Sequence, residues 1–215
     1  MAVENLNKSS DLTFEKGYFT DKNRQVSNYA DYRKIKYSKL CDTLIQSCKI
    51  QRNDKIVDFG CATGALLSEF KKRGFRNIKG TDVSYWAIEW GKQNLDLMKE
   101  LEHYNRNMLT EPKDFCIMLD VLEHIPSIQE VQFILKLAKL NLHKHLIIRI
   151  PVSAREGEDY YLKVSRNDRT HVQCHCKERW IELFKTCGYQ LTQEFCTKGV
   201  IWSSKGVFTG VFTPL

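Results

Sequence analysis

The segment Ile56–Leu67, with the sequence IVDFGCATGALL, determines the fold prediction for this chain. Its apolar start, Ile56–Phe59, is typical of a central parallel strand, and Gly60 and Gly64 permit a tight turn that approaches a ligand closely. The following residues predict a helix whose first N–H groups favour a carboxylate or phosphate. The spacing is Asp-x-Gly-x-x-x-Gly and no Gly-Lys-Ser/Thr follows, which excludes a P-loop and weakens the case for a nicotinamide dinucleotide site.

Three later segments extend this pattern in a fixed order. Ile78–Ser84 (IKGTDVS) is a second strand ending in Asp82, placed about 20 residues after the glycine turn, where a carboxylate can accept hydrogen bonds from ribose hydroxyls. Asp114–His124 (DFCIMLDVLEH) is typical of a further strand and the turn after it, and Leu146–Pro151 (LIIRIP) of a strand that ends in proline; we number them the fourth and the fifth strand. Over residues 55–151 the ordered set resembles the class I S-adenosylmethionine (SAM) dependent methyltransferases.

The resemblance implies an α/β fold with a seven-stranded, mostly parallel sheet, helices on both faces and an antiparallel last strand. It implies SAM as the cofactor and S-adenosylhomocysteine (SAH) as the product. Asp82 is then expected to bind the ribose, and Asn107 stands where many relatives carry an aspartate that touches the adenine amino group. The other expected cofactor contacts are Asp58, Gly60, Cys61, Ala62 and Gly64 at the methionine end, Val83 and Met108 around the adenine, and Asp120 and Val121 facing the sulfonium.

The chain divides into a short polar segment and one larger domain. Residues 1–27 are polar and are expected to be partly disordered, whereas residues 28–215 form the methyltransferase domain. Within that domain, 28–50 predicts a cap helix, Tyr104–Asn107 a short third strand, and 152–176 a long polar, aromatic lid over the carboxyl ends of the strands. A helix is expected from about Ser127 to Leu142, before the fifth strand. In the family resembled, the cap helix covers the SAM pocket, so Tyr18, Tyr29 and Arg33 are candidates for closing it, although both tyrosines can instead pack beneath the helix.

Composition limits the class of protein. The net charge is +7, but the basic residues are dispersed, so nucleic-acid binding is permitted and not favoured. The eight cysteines form no Cys-x-x-Cys pair and are expected to be reduced. No signal-peptide pattern or membrane-length apolar run is present, which predicts a cytoplasmic protein without a membrane partner. No pattern indicates an oligomeric state.

Methyl transfer requires alignment of acceptor, methyl and sulfonium, and a hydroxyl acceptor also needs a base or a metal to remove its proton. Within DVLEH, which begins at Asp120, a helical turn would place Glu123 and His124 on one face. Together with Asp120 and with His171 of the lid, they offer two carboxylates and two imidazoles, which suit magnesium, manganese, iron or zinc. The pattern is similar to Glu-x-x-Glu-His motifs of metal-dependent ubiquinone-pathway O-methyltransferases and small-RNA 3′-end methyltransferases, but Asp120 is one methylene shorter than the usual glutamate. Leu-Glu-His also occurs here in methyltransferases without a metal, and this metal-free alternative is favoured.

The second candidate centre is His171 in the Thr-His pair of the lid, which resembles that of bacterial small-molecule and sugar methyltransferases. A histidine titrates near neutral pH and can accept the proton of a hydroxyl. The alternative is that His171 only pins the lid to the turn at Glu123. His171 and then His124 are the predicted catalytic residues.

The sequence as a whole predicts SAM-dependent methyl transfer to a small acceptor, most simply a hydroxyl of a sugar or secondary metabolite. Two alternatives stay open. One is an RNA methyltransferase, with or without a metal, and the other is a non-catalytic SAM-binding partner or regulatory protein.

Overall fold

The computed structural model describes residues 14–20, 34–195 and 205–215, with the backbone alone for 34–36. One sheet contains the strands β1 (Ile56–Phe59), β2 (Ile78–Asp82), β3 (Leu101–His103), β4 (Lys113–Leu119), β5 (Leu142–Pro151), β6 (Tyr189–Glu194) and β7 (Val207–Pro214). The described α-helices are α1 (Lys16–Thr20), α2 (Lys34–Cys48), α3 (Ala65–Lys72), α4 (Tyr85–Asn94), α5 (Ile128–Lys139), α6 (Lys163–Asn167) and α7 (Lys177–Thr186).

The sheet has the strand order β3-β2-β1-β4-β5-β7-β6. Strands β1 to β5 pair in parallel with their neighbours, whereas β7 lies antiparallel between β5 and β6. The predicted seven-stranded, mostly parallel sheet with an antiparallel last strand is therefore confirmed. Because β1, β2, β4 and β5 are parallel, the turns that follow them meet at one edge of the sheet.

Helices cover both faces of the sheet, and each face has its own apolar core. Side chains of α2, α3 and α4, among them Leu44, Phe70 and Ile88, pack on one face. Side chains of α5 and α7, including Ile134 and Trp180, pack on the other. The seven cysteines within the described residues are free thiols. In the described part of the chain, no helix combines the length and the apolar character needed to cross a membrane.

Several predicted boundaries were wrong. The third strand is Leu101–His103 rather than Tyr104–Asn107. The chain leaves the strand because the Asn105 side chain accepts a hydrogen bond from the Asn107 N–H and caps a 3₁₀ helix, Arg106–Thr110. The predicted lid also contains the short helix α6, and part of the predicted cap helix, along with Tyr29 and Arg33, lies outside the described residues.

The boundary between α5 and β5 also differs from the prediction. Helix α5 ends at Lys139 rather than near Leu142, and β5 already begins at Leu142. Asn141, with φ of 54°, supplies the left-handed turn between them. Asparagine tolerates this conformation better than most residues, so the turn is shorter than apolar periodicity alone indicated.

Gly91 of α4 brings that helix against the glycine turn. A Cβ at this position would lie 2.2 Å from the carbonyl oxygen of Thr63 and 2.7 Å from a methyl group of Leu101. The helix backbone and the turn backbone are therefore in direct contact, and no side chain fits between them.

We expect Gly91→Ala to lower the free energy of unfolding by about 1–3 kcal/mol, because the methyl group forces α4 away from the turn. Denaturant unfolding measures the change. Gly17→Ala is the control, since a Cβ there meets nothing within 4 Å, and it should cost no stability. Equal stability of the Gly91→Ala and wild-type proteins would contradict the close contact.

Candidate functional site

The glycine turn after β1 is held by the end of β2. The N–H groups of Gly60 and Cys61 both donate to the carbonyl oxygen of Thr81, at 2.8 and 3.0 Å. Gly60 has φ of +80°, and a Cβ there would lie 2.4 Å from Val121. Gly64, with φ of +75°, is the N-cap residue of α3, and no side chain there accepts a hydrogen bond from the first N–H groups of the helix. The turn thus leads into a helix N-terminus without a side-chain cap, where an anionic group is favoured.

Asp82 joins this turn to the next helix. One oxygen of its carboxylate accepts from the N–H of Ala62 at 2.8 Å, and the other accepts from the N–H of Ser84 at 2.9 Å. Ser84 in turn caps α4 through the N–H of Ala87. Each Asp82 oxygen keeps a second lone pair, so the side chain retains the capacity to accept from hydroxyl groups.

Two carboxylates are buried side by side at the turn. Asp58, at the end of β1, is 4% exposed, and Asp82 is 9% exposed. Burial, together with the negative charge of Asp82, raises the pKa of Asp58 to about 7. Burial also raises the pKa of Asp82, although the N–H groups of Ser84 and Ala62 oppose the shift. The pair gives the turn a concentrated negative potential in a region of low solvation.

The three residues that were predicted to contact the adenine differ in how deeply they are buried. Val83 directly follows β2 and is half-buried. Met108 is 1% exposed within the 3₁₀ helix, whereas Asn107 is exposed at the same helix. The structure brings Val83 to the edge where Asp82 lies, and leaves Asn107 on the surface.

Asp120 lies at the end of β4 in a left-handed conformation, with φ of 55°. Its carboxylate pairs with the guanidinium of Arg149, a residue of β5 that is 4% exposed. The proposed metal set of Asp120, Glu123, His124 and His171 is corrected in one member, because Asp120 faces Arg149 and does not join the other three. An arginine within the apolar sequence LIIRIP was the available signal for this pair, since a buried guanidinium needs a carboxylate partner.

Glu123, His124 and His171 form a group that we call the Glu–His–His cluster. One potential ligand atom of each lies within 4.8 Å of the others. Nε2 of His124 is 4.0 Å from a carboxylate oxygen of Glu123, and the two imidazole rings meet edge-on with centroids 4.7 Å apart. The turn after β4 and the lid thus converge, as the motif predicted.

The cluster is an unusual electrostatic site because its polar atoms are buried. Both carboxylate oxygens of Glu123 and Nδ1 of His171 lack a hydrogen-bond partner among the described residues. Burial, with a smaller contribution from the charge of Asp168, raises the pKa of Glu123 to about 8. Burial lowers the pKa of His171 despite the nearby negative charge of Asp168, which favours the neutral imidazole that a base requires.

The lid is fixed to the turn by backbone hydrogen bonds rather than by His171. The N–H groups of Val172 and Gln173 donate to the Glu123 carbonyl oxygen at 2.8 and 3.1 Å. The Gln173 side chain also donates to the carbonyl oxygen of Ile125. The purely structural alternative for His171 is therefore unnecessary for closing the lid, because these bonds already do so.

Helix α1 lies across the same edge. Phe14 and Tyr18 approach the His124 ring with centroids at 5.3 and 6.4 Å, while Phe19 stacks on Trp86 of α4 at 5.7 Å. The segment 14–20 thus extends from α4 to the turn after β4, and the expectation that Tyr18 closes over the SAM pocket stays a prediction. Aromatic rings therefore border the Glu–His–His cluster on the N-terminal side.

The Glu–His–His cluster has the donors to hold a divalent ion. A carboxylate and two imidazoles are a ligand set used for zinc, iron and manganese, and an ion would satisfy the buried Glu123 oxygens that otherwise lack partners. The chemistry that such an ion supplies is a lower pKa for a bound hydroxyl.

Comparison with known proteins identifies the class. A family profile described as "Methyltransferase domain" matches residues 29–194, and the chain belongs to that family. The ribosomal protein L11 methyltransferase of Shewanella sp. (strain ANA-3) is 39% identical over 44 residues, which is 20% of this chain and 15% of that relative. The chain therefore spans only a small part of the curated relatives that it matches.

Solved structures agree on the fold. Magnesium protoporphyrin IX methyltransferase from Synechocystis PCC 6803 with bound SAH has a TM-score of 0.62 at 14% identity, covering 85% of this chain and 86% of that one. The methyltransferase domain of bacterial CtHen1-C has a TM-score of 0.58 at 21% identity, covering 84% and 97%. The chain thus has the fold of the methyltransferase-domain family to which it belongs.

The state of Glu123 gives a prediction about pH. Its raised pKa keeps the folded form protonated while the unfolded form ionises, so unfolding releases a proton and stability falls as pH rises from about 5 to 8. In the presence of a chelator, Glu123→Gln should flatten this fall, which is at most about 1.4 kcal/mol per pH unit. Denaturant unfolding at several pH values measures the slope.

The matched control is Glu69→Gln. Glu69 is also buried, but it accepts hydrogen bonds from Lys72 and Arg73, and these outweigh burial and lower its pKa. Its stabilising effect is already complete above about pH 5, so that variant should be less stable at every pH in the range with an unchanged slope. A Glu123→Gln protein with the wild-type slope would contradict the buried, protonated carboxyl.

Proposed function

We propose that this enzyme transfers the methyl group of SAM to a hydroxyl of a small acceptor, and that the acceptor oxygen binds at the Glu–His–His cluster. The observation that carries the proposal is the convergence of two imidazoles and a buried carboxylate beside the turn that carries Asp120 and Val121. These last two residues are expected to face the sulfonium of SAM. A hydroxyl acceptor is the class of acceptor that needs a positioned base, and the two imidazoles of the cluster can each serve as one.

The cofactor is proposed to lie along the carboxyl edge of β1 and β2. The uncapped N-terminus of α3 would receive the methionine carboxylate, and the turn residues Gly60, Cys61, Ala62 and Gly64 would form the wall of the site around it. The buried carboxylate of Asp58 would attract the methionine ammonium group. Asp82 would accept from the ribose hydroxyls with its second lone pairs. The proposed adenine contacts are Val83, Met108 and Asn107.

Proton removal is assigned to His171, with His124 beside it. The lowered pKa of His171 supports a neutral imidazole near neutral pH, and its Nδ1 atom has no partner among the described residues. Accepting the hydroxyl proton would create an imidazolium next to Asp168, whose Oδ2 is 3.9 Å from Nε2 of His171. The carboxylate would stabilise that charge, as acid–base chemistry requires.

The enclosure of the cluster favours a small acceptor. The Glu123, His124 and His171 side chains are only 1%, 13% and 11% exposed, and the rings of Phe14 and Tyr18 border the same space. An acceptor must insert a slender hydroxyl-bearing group between these rings. A sugar or secondary-metabolite hydroxyl satisfies that requirement.

A second candidate is methyl transfer to RNA with a divalent ion at the Glu–His–His cluster. The observations that favour it are the motif similarity to small-RNA 3′-end methyltransferases and the fitting donor set of the cluster. The net charge of +7 is compatible with a polyanionic acceptor. The likeness to CtHen1-C concerns the fold alone.

We expect Asp82→Asn to weaken SAM binding about 10- to 100-fold, because a charge-assisted acceptor for the ribose and for the turn is lost. Isothermal titration calorimetry measures the dissociation constant. Asp54→Asn is the control, since Asp54 is also buried but pairs with Lys144 before the start of β1, at the opposite edge. An unchanged affinity in Asp82→Asn would contradict the proposed cofactor position.

We expect His171→Ala to reduce methyl transfer at least about 100-fold while SAM affinity stays constant, because the base is lost. The assay offers labelled SAM to a panel of small hydroxyl compounds and to short RNAs, with a chelator or with added Mg²⁺, Mn²⁺ or Zn²⁺. His175→Ala is the control, as His175 lies in the same lid but pairs with Glu156. Methylation of RNA alone, and only with metal, would overturn the first candidate and support the second.

A further inference from the structure

A chain of hydrogen bonds in the lid ends on His124. The Thr170 hydroxyl donates to Oδ1 of Asp168 at 2.6 Å, and the Thr170 N–H donates to the same oxygen at 3.0 Å. Nδ1 of His124 lies 2.9 Å from the Thr170 hydroxyl oxygen and 3.2 Å from the Thr170 carbonyl oxygen. The imidazole is therefore in contact with both oxygen atoms of one lid residue.

The count of protons fixes the direction of these bonds. A carbonyl oxygen only accepts, and a threonine hydroxyl has a single proton, which Thr170 already gives to the Asp168 carboxylate. Both Thr170 oxygens therefore present lone pairs to Nδ1 of His124. The hydrogen bonds form only if Nδ1 carries the proton, which leaves the lone pair of a neutral imidazole on Nε2.

Nε2 is the atom that faces the Glu–His–His cluster, 4.0 Å from the carboxylate of Glu123. We propose that Asp168 and Thr170 are positioning residues that hold His124 in the Nδ1–H tautomer, so that its Nε2 lone pair is directed at the acceptor hydroxyl. This rests on the proposed function, which places the acceptor at this cluster. Carboxylates that orient an imidazole through its second nitrogen act in the same way in metal and hydrolase sites.

The lid segment that carries Thr170 is rigidly joined to the turn that carries His124. Asp168 accepts from the N–H of His171 through its own carbonyl, at 3.1 Å, and the next two residues of the lid donate to the carbonyl oxygen of Glu123. The Tyr160 hydroxyl donates to the Gln173 carbonyl oxygen at 2.9 Å. The orienting bonds to His124 thus originate from a segment with little freedom to shift.

The tautomer can be read directly from long-range proton–nitrogen correlation spectra of the histidine-labelled protein. The sample is the SAH complex with a chelator present, at about pH 8, which is above the reference pKa of an imidazole. The His124 signals are assigned by their loss in His124→Gln. We expect a single Nδ1–H tautomer for His124, and an Nε2–H tautomer or an equal mixture would overturn the proposal.

Variants test the two positioning residues separately. Thr170→Ser keeps the hydroxyl and should keep the Nδ1–H tautomer, whereas Thr170→Val should give a mixture because one of two acceptors is gone. Asp168→Ala should also give a mixture, since the hydroxyl proton of Thr170 then has no acceptor in the side chain at position 168 and can turn toward Nδ1. Retention of the pure Nδ1–H form in both Thr170→Val and Asp168→Ala would overturn the role assigned to these side chains.

Controls separate this test from the proposed function and from misfolding. SAH affinity and thermal unfolding report whether each variant folds, and Thr186→Val, which removes a hydroxyl that donates within α7, should leave the His124 spectrum unchanged. The spectra require no acceptor. If no acceptor is methylated, the spectra still decide which tautomer His124 adopts. If the spectra show the Nε2–H tautomer, the acceptor assays still decide the proposed function.

Discussion

The carboxylate of Asp82 is the interaction on which the carboxyl edge of the sheet depends. It bonds the backbone of Ala62, which has φ of 50°, and the backbone of Ser84, which begins α4. Left-handed backbone in a residue with a Cβ costs free energy, and a buried charged acceptor offsets part of that cost. The same helix then closes on the turn through Gly91. One side chain thus shapes the proposed cofactor site before any cofactor binds.

The parallel topology of the strands brings the Glu–His–His cluster to the same edge of the sheet as Asp82. The turns after β1, β2 and β4 and the lid after β5 all leave the sheet at one edge, so Glu123 and His171 meet although many residues separate them. Backbone hydrogen bonds from the lid to the Glu123 carbonyl oxygen hold the lid against the turn after β4. The lid therefore does not depend on the side chains of Glu123 and His171 for its attachment to the turn. The result is a buried group of acid–base side chains beside the proposed methyl position.

The sequence predicted the sheet because glycine turns and apolar strands have strong local signatures, and it predicted that the turn after β4 and the lid lie close together. It failed where a side chain decided the local geometry. Asn105 ended β3 by capping a 3₁₀ helix, and that bond has no signature in apolar periodicity. Asp120 was placed in a metal set because its spacing fitted, but the guanidinium of Arg149 on the neighbouring strand holds it elsewhere. Neighbour relations between strands are tertiary, so spacing along one turn could not reveal them.

The central claim is that the Glu–His–His cluster faces the reacting methyl group. An experimental structure with SAH bound tests it most directly. The account predicts that the SAH sulfur lies beside Asp120 and Val121, with Asp82 on the ribose and with space for one hydroxyl oxygen between the sulfur and the imidazoles of His124 and His171. A sulfur atom that faces away from both imidazoles, or that is separated from them by the ring of Tyr18, would contradict it.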